Sequence, residues 1–362
     1  MPRALQTILP YSALMSRVAL LAPFAFPSVR GNAVTVDRIA GGLTARGLTV
    51  RVWDSSVDDD ATIAAQVQDF TPSVVHAFHA WRVGPLALRL ARRAEIPLVV
   101  TLTGTDANYD LFDPERAAAT RRVLEGASRI SVFDDSIAAR VATALPDLRS
   151  RLVTVPQAIA LARAEVFDLA AAWPELSDDA VLFVFPGGIR PVKRPRMPLA
   201  PLDAVVTRHP NVRLLYVGPV LEAGEGSALI AALERRPWAR YVGAVPHARM
   251  ASLLARADVV LNCSESEGGM PNSVLEALAC ARAVAAADIE GNRSLIEHEV
   301  TGLLFRDDTE LGVVAERLVT DPALGARLGA AGEARVGAHF PPAREIDGYL
   351  AIYRSLVPET VR

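Results

Sequence analysis

Short runs of β-branched and aromatic residues alternate with Ala- and Leu-rich stretches of helical length, and the alternation passes through the chain twice. Few folds accommodate this pattern, because a strand, a crossover helix and a second strand return to one sheet as a right-handed parallel unit. In the first half the expected strands are Val18–Ala22, Val50–Trp53, Val74–Phe78, Leu98–Leu102, Ile130–Phe133 and Leu152–Val155. In the second half they are Val181–Phe185, Val212–Val217, Tyr241–Val242, Val259–Asn262, Ala283–Ala286 and Gly302–Phe305. The pattern predicts an α/β protein of two doubly wound, Rossmann-like domains with helices on both sheet faces. Between them, 156–179 loses the strand period and is broken by Pro174, so it reads as a linker between domains at 15–155 and 180–340. Phe340-Pro341-Pro342 interrupts a helical region, and a further amphipathic helix is expected within 341–362. Residues 1–14 carry no pattern that joins the rest and read as a disordered extension.

Composition narrows the function. At 51% hydrophobic and 22% charged residues, the 362-residue chain can build sizeable cores. A net charge of −3 supplies no basic field for nucleic acid. Cys263 and Cys280 form neither a disulfide framework nor a metal set, which suits a reducing compartment and a cytoplasmic location. The longest apolar candidate, Leu14 to Pro27, is interrupted by Arg17 and by Pro23, so no transmembrane segment is expected. Peripheral membrane contact and the oligomeric state stay open. Acidic runs at Asp58-Asp59-Asp60, Asp134-Asp135, Asp178-Asp179 and Asp307-Asp308 read as solvated turns, and no metal or resident cofactor is expected.

Ligands of doubly wound sheets sit beyond the carboxyl ends of the strands, which directs attention to the loops there. Gly31 and Asn32 follow the first strand and open a helix, whose free N–H groups suit an anion. His76 and His79 end the third strand; alternation leaves His76 to the core and His79 to the cleft. Thr103-Gly104-Thr105-Asp106 follows the fourth, and its polar groups either cap the next segment or meet an acceptor. Of 38 basic residues only Lys193 is a lysine, and it ends the loop Gly187-Gly188-Ile189-Arg190-Pro191-Val192-Lys193. A point charge and a guanidinium fork three residues apart suit the two ends of a diphosphate. The last loop, Ser264 to Glu276, contains Glu267, Gly268, Gly269, Met270, Pro271, Asn272 and Ser273 before an Ala-rich helix. Its glycines permit tight turns, the helix start offers N–H groups, and Glu267 and Glu276 can accept pairs of sugar hydroxyls.

These loops, together with Glu290-Gly291-Asn292 and Thr301-Gly302-Leu303-Leu304-Phe305, resemble the retaining, nucleotide-sugar-dependent glycosyltransferases of family 4, which have the GT-B fold. Through Gly31-Asn32-Ala33-Val34-Thr35 and Ile189-Arg190-Pro191-Val192-Lys193 the chain looks most like the glycosyltransferase 1 domain-containing 1 group. Thr103-Gly104-Thr105-Asp106 is also similar to selenosugar synthases. Eight residues separate Glu267 from Glu276 where the family usually has seven, so one glycine must bulge, and Thr103 stands where many members have histidine. The resemblance implies a nucleotide-sugar donor, most simply a UDP-sugar, on the second domain and a sugar or small-molecule acceptor on the first. It implies that Arg190 and Lys193 neutralise the leaving diphosphate without metal, Glu267 holds the transferred sugar, Glu276 holds the ribose, and Gly188 and the stretch from Gly268 to Ser273 line the donor. His79 would steady the sugar, with Thr103, Thr105 and Asp106 on the acceptor side. The last helix would cross back to the first domain. A sugar-nucleotide epimerase and a non-catalytic nucleotide-sugar-binding protein are the competing readings.

Overall fold

A computed structural model describes residues 17–28, 30–159, 161 and 165–357, so the extension expected over 1–14 lies outside the described residues. Six strands, β1 (Arg17–Ala22), β2 (Thr49–Asp54), β3 (Val74–Phe78), β4 (Leu98–Thr101), β5 (Arg129–Val132) and β6 (Leu152–Thr154), form a parallel sheet in the order β2-β1-β3-β4-β5-β6. Six more, β7 (Val181–Pro186), β8 (Val212–Val217), β9 (Ala239–Tyr241), β10 (Val259–Asn262), β11 (Ala283–Ala287) and β12 (Leu303–Phe305), form a second in the order β12-β11-β10-β7-β8-β9.

Each expected strand forms. The largest boundary difference is β9, expected at Tyr241–Val242 but starting at Ala239, because Leu214 of β8 pairs with Ala239 and Gly243, at φ 79°, turns the chain away. Central strands are mostly apolar because helices cover both faces; β3 and β10 are buried along their whole length, His76 and Asn262 included. Each sheet is flanked by two apolar cores, one per face. Fully burying one such Val or Leu contributes roughly 1.5–3 kcal/mol.

The acidic runs have a structural job. Asp59, Asp134 and Asp307 each accept a backbone N–H at the start of helices 60–70, 135–144 and 308–320.

Helix Pro342–Leu356 lies against the first sheet. Ile346, Tyr349 and Tyr353 pack with Val18, Leu20 and Phe78, and Glu345, 1% exposed, accepts two hydrogen bonds from Arg38 at 2.8 and 2.9 Å. The Tyr353 hydroxyl lies 2.7 Å from His76 Nδ1, while His76 Nε2 lies 2.7 Å from Thr101 Oγ1. Burial drives the His76 pKa down to about 3, so it is a neutral core histidine. Among the described residues no helix is long and apolar enough to cross a membrane.

In each sheet the strand order reverses beside the first strand, between β1 and β3 and between β7 and β10. The loops leaving those four strands open a crevice at each reversal. The two crevices face one another across a shared cleft lined from both domains.

Candidate active site

The cleft encloses a cavity of about 310 Å³. Of the residues singled out in sequence, His79, Gly31, Asn32, Thr103 and Thr105 line it from the first domain. Gly188, Arg190, Lys193, Glu267, Gly268, Met270, Pro271, Asn272, Ser273 and Glu276 line it from the second.

Arg190 and Lys193 leave β7 on a loop that turns tightly at Pro191–Lys193. Two bonds fasten this loop to the one after β10: Glu265 N donates to Val192 O at 2.8 Å, and Arg194 Nε donates to Cys263 O at 2.7 Å. The Lys193 ammonium is therefore held against Glu267, with which it forms an ion pair. Ser264 Oγ at 2.7 Å and Asn262 Nδ2 at 3.2 Å donate to the same Glu267 oxygen. Burial alone would raise the Glu267 pKa. The Lys193 charge and these hydrogen bonds outweigh it and hold the carboxyl below its usual range. The Arg190 Nε is buried with no partner among the described residues.

Glu276 sits on helix Asn272–Ala279, whose start has no side-chain cap. His247, absent from the sequence reading, lies 2.9 Å from Glu276 Oε1 through Nε2. That hydrogen bond raises the His247 pKa against the opposing effect of burial. Its sequence signal was its place: it opens helix His247–Leu254 in the loop after β9.

His79 is 2% exposed and stands at φ 108°, a conformation non-glycine residues rarely adopt. Its Nε2 is 2.9 Å from Thr105 Oγ1, and Arg82 N donates to its Nδ1 at 3.3 Å, which fixes the neutral Nε2–H tautomer. Burial lowers its pKa despite the carboxylates of Asp106 and Asp110.

Asp106 does not face the cleft as expected. It is fully buried, and accepts from the backbone N–H groups of Thr103, Gly104 and Ala107 through one oxygen and Ala80 through the other. Burial and these four backbone bonds turn the carboxylate inward, where it shapes the loop. Gly269 also lies off the cleft: it supplies the bulge, at φ 118°, and packs on Phe133.

Several residues that sequence reasoning missed tie the domains together. Asn108 Nδ2 donates to Glu267 O at 2.8 Å, Tyr109 hydroxyl meets Ser266 Oγ at 2.7 Å, and Gln157 Nε2 donates to Met270 O at 2.6 Å. Asn272 Nδ2 reaches Gly31 O and Thr35 Oγ1 at 3.2 and 3.1 Å, and Arg140 pairs with Glu290.

Comparison with known proteins places this cleft. Residues 180–321 match the family described as glycosyl transferases group 1. They form a group 1 glycosyltransferase domain. The chain is 27% identical over 303 residues to glycosyltransferase 1 domain-containing protein 1 of Xenopus tropicalis, covering 82% of this chain and 86% of that protein. It is 30% identical over 304 residues to D-inositol 3-phosphate glycosyltransferase of Segniliparus rotundus, covering 78% of this chain and 66% of that protein. Among solved structures, HepE of Anabaena in complex with UDP-glucose superposes at TM-score 0.76 with 16% identity, over 94% of this chain and all of that one. Sucrose-phosphate synthase of Thermosynechococcus elongatus gives TM-score 0.76 at 18% identity, covering 94% of this chain and 99% of that one. These likenesses establish the GT-B fold.

Proposed function

We propose that the chain transfers a sugar from a nucleotide-sugar donor, most simply a UDP-sugar, to a small acceptor with retention of anomeric configuration and without metal or resident cofactor. The observation that carries the reading is the convergence, in one cleft, of Arg190 and Lys193 with Glu267 and Glu276. The diphosphate would lie over the open start of helix Asn272–Ala279, with Gly268 to Ser273 beneath it and Gly188 beside it. Arg190, with its unpartnered Nε, and Lys193 would take the charge that gathers on the leaving phosphate. Glu276 would accept the ribose hydroxyls, displacing His247, and Glu267 the hydroxyls of the transferred sugar.

The chemistry balances without an enzymatic nucleophile. The bond between the anomeric carbon and the phosphate oxygen breaks, the acceptor attacks from the same face, and its proton passes to the departing phosphate oxygen. His79, neutral with Nδ1 occupied by Arg82 N–H, has one N–H to give, and Nε2 would turn it from Thr105 to a hydroxyl of the sugar or acceptor beside the reacting carbon. The cysteine usage fits a cytoplasmic enzyme. UDP-glucose is named with HepE, which shares the fold, and this supports the choice of a UDP-sugar as first donor.

The test is a thermal-shift panel of nucleotide sugars, then mass spectrometry of products made with the best donor in EDTA. Complete loss of transfer in EDTA with recovery on adding magnesium would refute the metal-free reading. Slow conversion of donor alone to an isomeric nucleotide sugar would favour an epimerase.

A further inference from the structure

Four cations line the cleft, and only Lys193 is neutralised by a carboxylate among the described residues. Arg30, Arg82 and Arg190 take part in no ion pair there. Three other arginines, Arg38, Arg116 and Arg140, are paired with Glu345, Asp110 and Glu290. The donor diphosphate accounts for Arg190 alongside Lys193. It leaves Arg30 and Arg82 without a role.

These two belong to the other side of the cleft. Arg30 leaves β1 and Arg82 leaves β3, the pair of strands at which the first sheet reverses. Phe24 stacks on Arg30, whose guanidinium is 3.7 Å from the ring centroid, and the exposed Arg82 reaches the same ring at 5.9 Å. Stacking on an aromatic face fixes a planar guanidinium and leaves its N–H edge free, without cancelling its charge. Burial and the like charges of Arg82 and Arg190 depress the Arg30 pKa, as expected for a positive field lacking a counterion. Arg82 is also tied to the reacting centre, because its own N–H is the one that donates to His79 Nδ1.

We infer that Arg30 and Arg82 grip an anionic group, a phosphate or a carboxylate, on the acceptor, so that the acceptor substrate is an anionic small molecule. This rests on the glycosyltransferase reading above and adds the acceptor's chemical class. Two forks on one ring suit a tetrahedral or planar oxyanion, which each can meet with paired N–H donors. An acceptor so held places its remaining hydroxyls beside His79 and Thr105, facing the donor loops of the second domain.

The experiment uses the full chain and its best UDP-sugar with matched acceptors: glucose against glucose 6-phosphate and glucuronate, and glycerol against glycerol 3-phosphate. The anionic member of a pair should show kcat/KM at least tenfold above its neutral partner. Arg30→Gln and Arg82→Gln should each raise its KM tenfold or more while the calorimetric Kd for UDP moves less than threefold. Arg82→Lys should recover part of the loss. A second readout needs no turnover: inorganic phosphate titrated into UDP-saturated protein should bind, and bind at least tenfold more weakly to the double glutamine variant. Preference for neutral acceptors, an equal loss of UDP affinity in both variants, or no phosphate binding to UDP-saturated protein would each overturn the inference. Protein that binds no UDP at all marks the separate failure of the donor-site reading, and this inference falls with it.

Discussion

Replacing Gly268 with alanine should separate catalysis from donor binding. An added Cβ there would stand 2.0 Å from Gly104 Cα, 2.4 Å from Thr103 O and 2.5 Å from Gly104 N, all backbone atoms of the facing domain. No flexible side chain stands between, so the facing loop must retreat. Moving from 2.0 Å to the 3.4 Å of ordinary contact is a displacement of about 1.4 Å. Gly268 itself is not among the glycines at positive φ, so alanine fits its own backbone and each domain should fold normally. The strain falls on the closed arrangement alone. Reacting groups moved by about 1 Å typically lose on the order of 10² in rate, here about 2.7 kcal/mol of barrier. We therefore expect kcat for transfer to fall about 100-fold in Gly268→Ala, with the thermal midpoint unchanged. Its Kd for UDP should stay within about threefold, because alanine keeps the Gly268 backbone that lies beneath the diphosphate, the facing loop is what retreats, and Arg190, Lys193 and Glu276 lie on the same domain as Gly268. Steady-state kinetics and calorimetry on the same preparation decide the matter. A variant with kcat within twofold of the parent would show that approach of Gly268 to Gly104 is not needed for transfer.

Lys193→Ala should lower kcat by on the order of 10²–10³-fold through loss of one fixed positive charge at the leaving group, with single-turnover kinetics as the check. It should also destabilise the fold by leaving Glu267 buried and unpaired, so the double variant with Glu267→Gln should melt higher than Lys193→Ala alone. His247 has a raised folded pKa, so its contribution to stability is complete below its ordinary value near 6.5 and fades as pH rises through the folded value. The melting-temperature gap between the parent and His247→Gln should accordingly narrow on going from pH 6 to pH 9. Nucleotide affinity should rise over the same interval as Glu276 is released. Asp106→Ala strands four backbone N–H groups, and should cost about 3 kcal/mol or more in urea denaturation, a loss that no acceptor concentration repairs.

The strands were legible because their residues report a local requirement. Val-rich segments such as Val74–Phe78 and Val259–Asn262 put apolar residues on both faces, with His76 and Asn262 as the polar exceptions, and a covered parallel strand asks for that. The cation loop and the glutamate loop were legible for a related reason: each follows a strand directly, and the reversal of strand order brings β7 beside β10. What the sequence does not show depends on partners far away along the chain. His247 acquires meaning from Glu276 and Gln157 from Met270, while Asn272, expected at the donor, also bonds Thr35 of the other domain, and none of these pairings leaves a local pattern. Asp106 shows the converse error. Its position after a strand suggested a ligand contact, yet a carboxylate in a tight loop is equally able to bind the loop's own N–H groups, and here it does. Arg30 adjoins Gly31 and Arg82 closely follows His79; in an arginine-rich chain their charge is unremarkable until the lack of a counterion is seen.

Helix Pro342–Leu356 has a mechanical consequence. The polypeptide leaves the first sheet after Thr154, builds the second from Val181 to Phe305, and comes home through Phe340 and Pro341 to a helix seated on the first sheet. Two separate chain crossings therefore join the halves. One tether would let the second half swivel in any direction, whereas two restrict it to swinging about the line that runs through both, as a door turns on a pair of pins. The buried Arg38–Glu345 pair and the Tyr353–His76 contact fasten the second pin to the frame. Cutting the backbone near Phe340, with nothing removed from the cleft, would leave a door on one pin, free to twist the two sets of loops out of register.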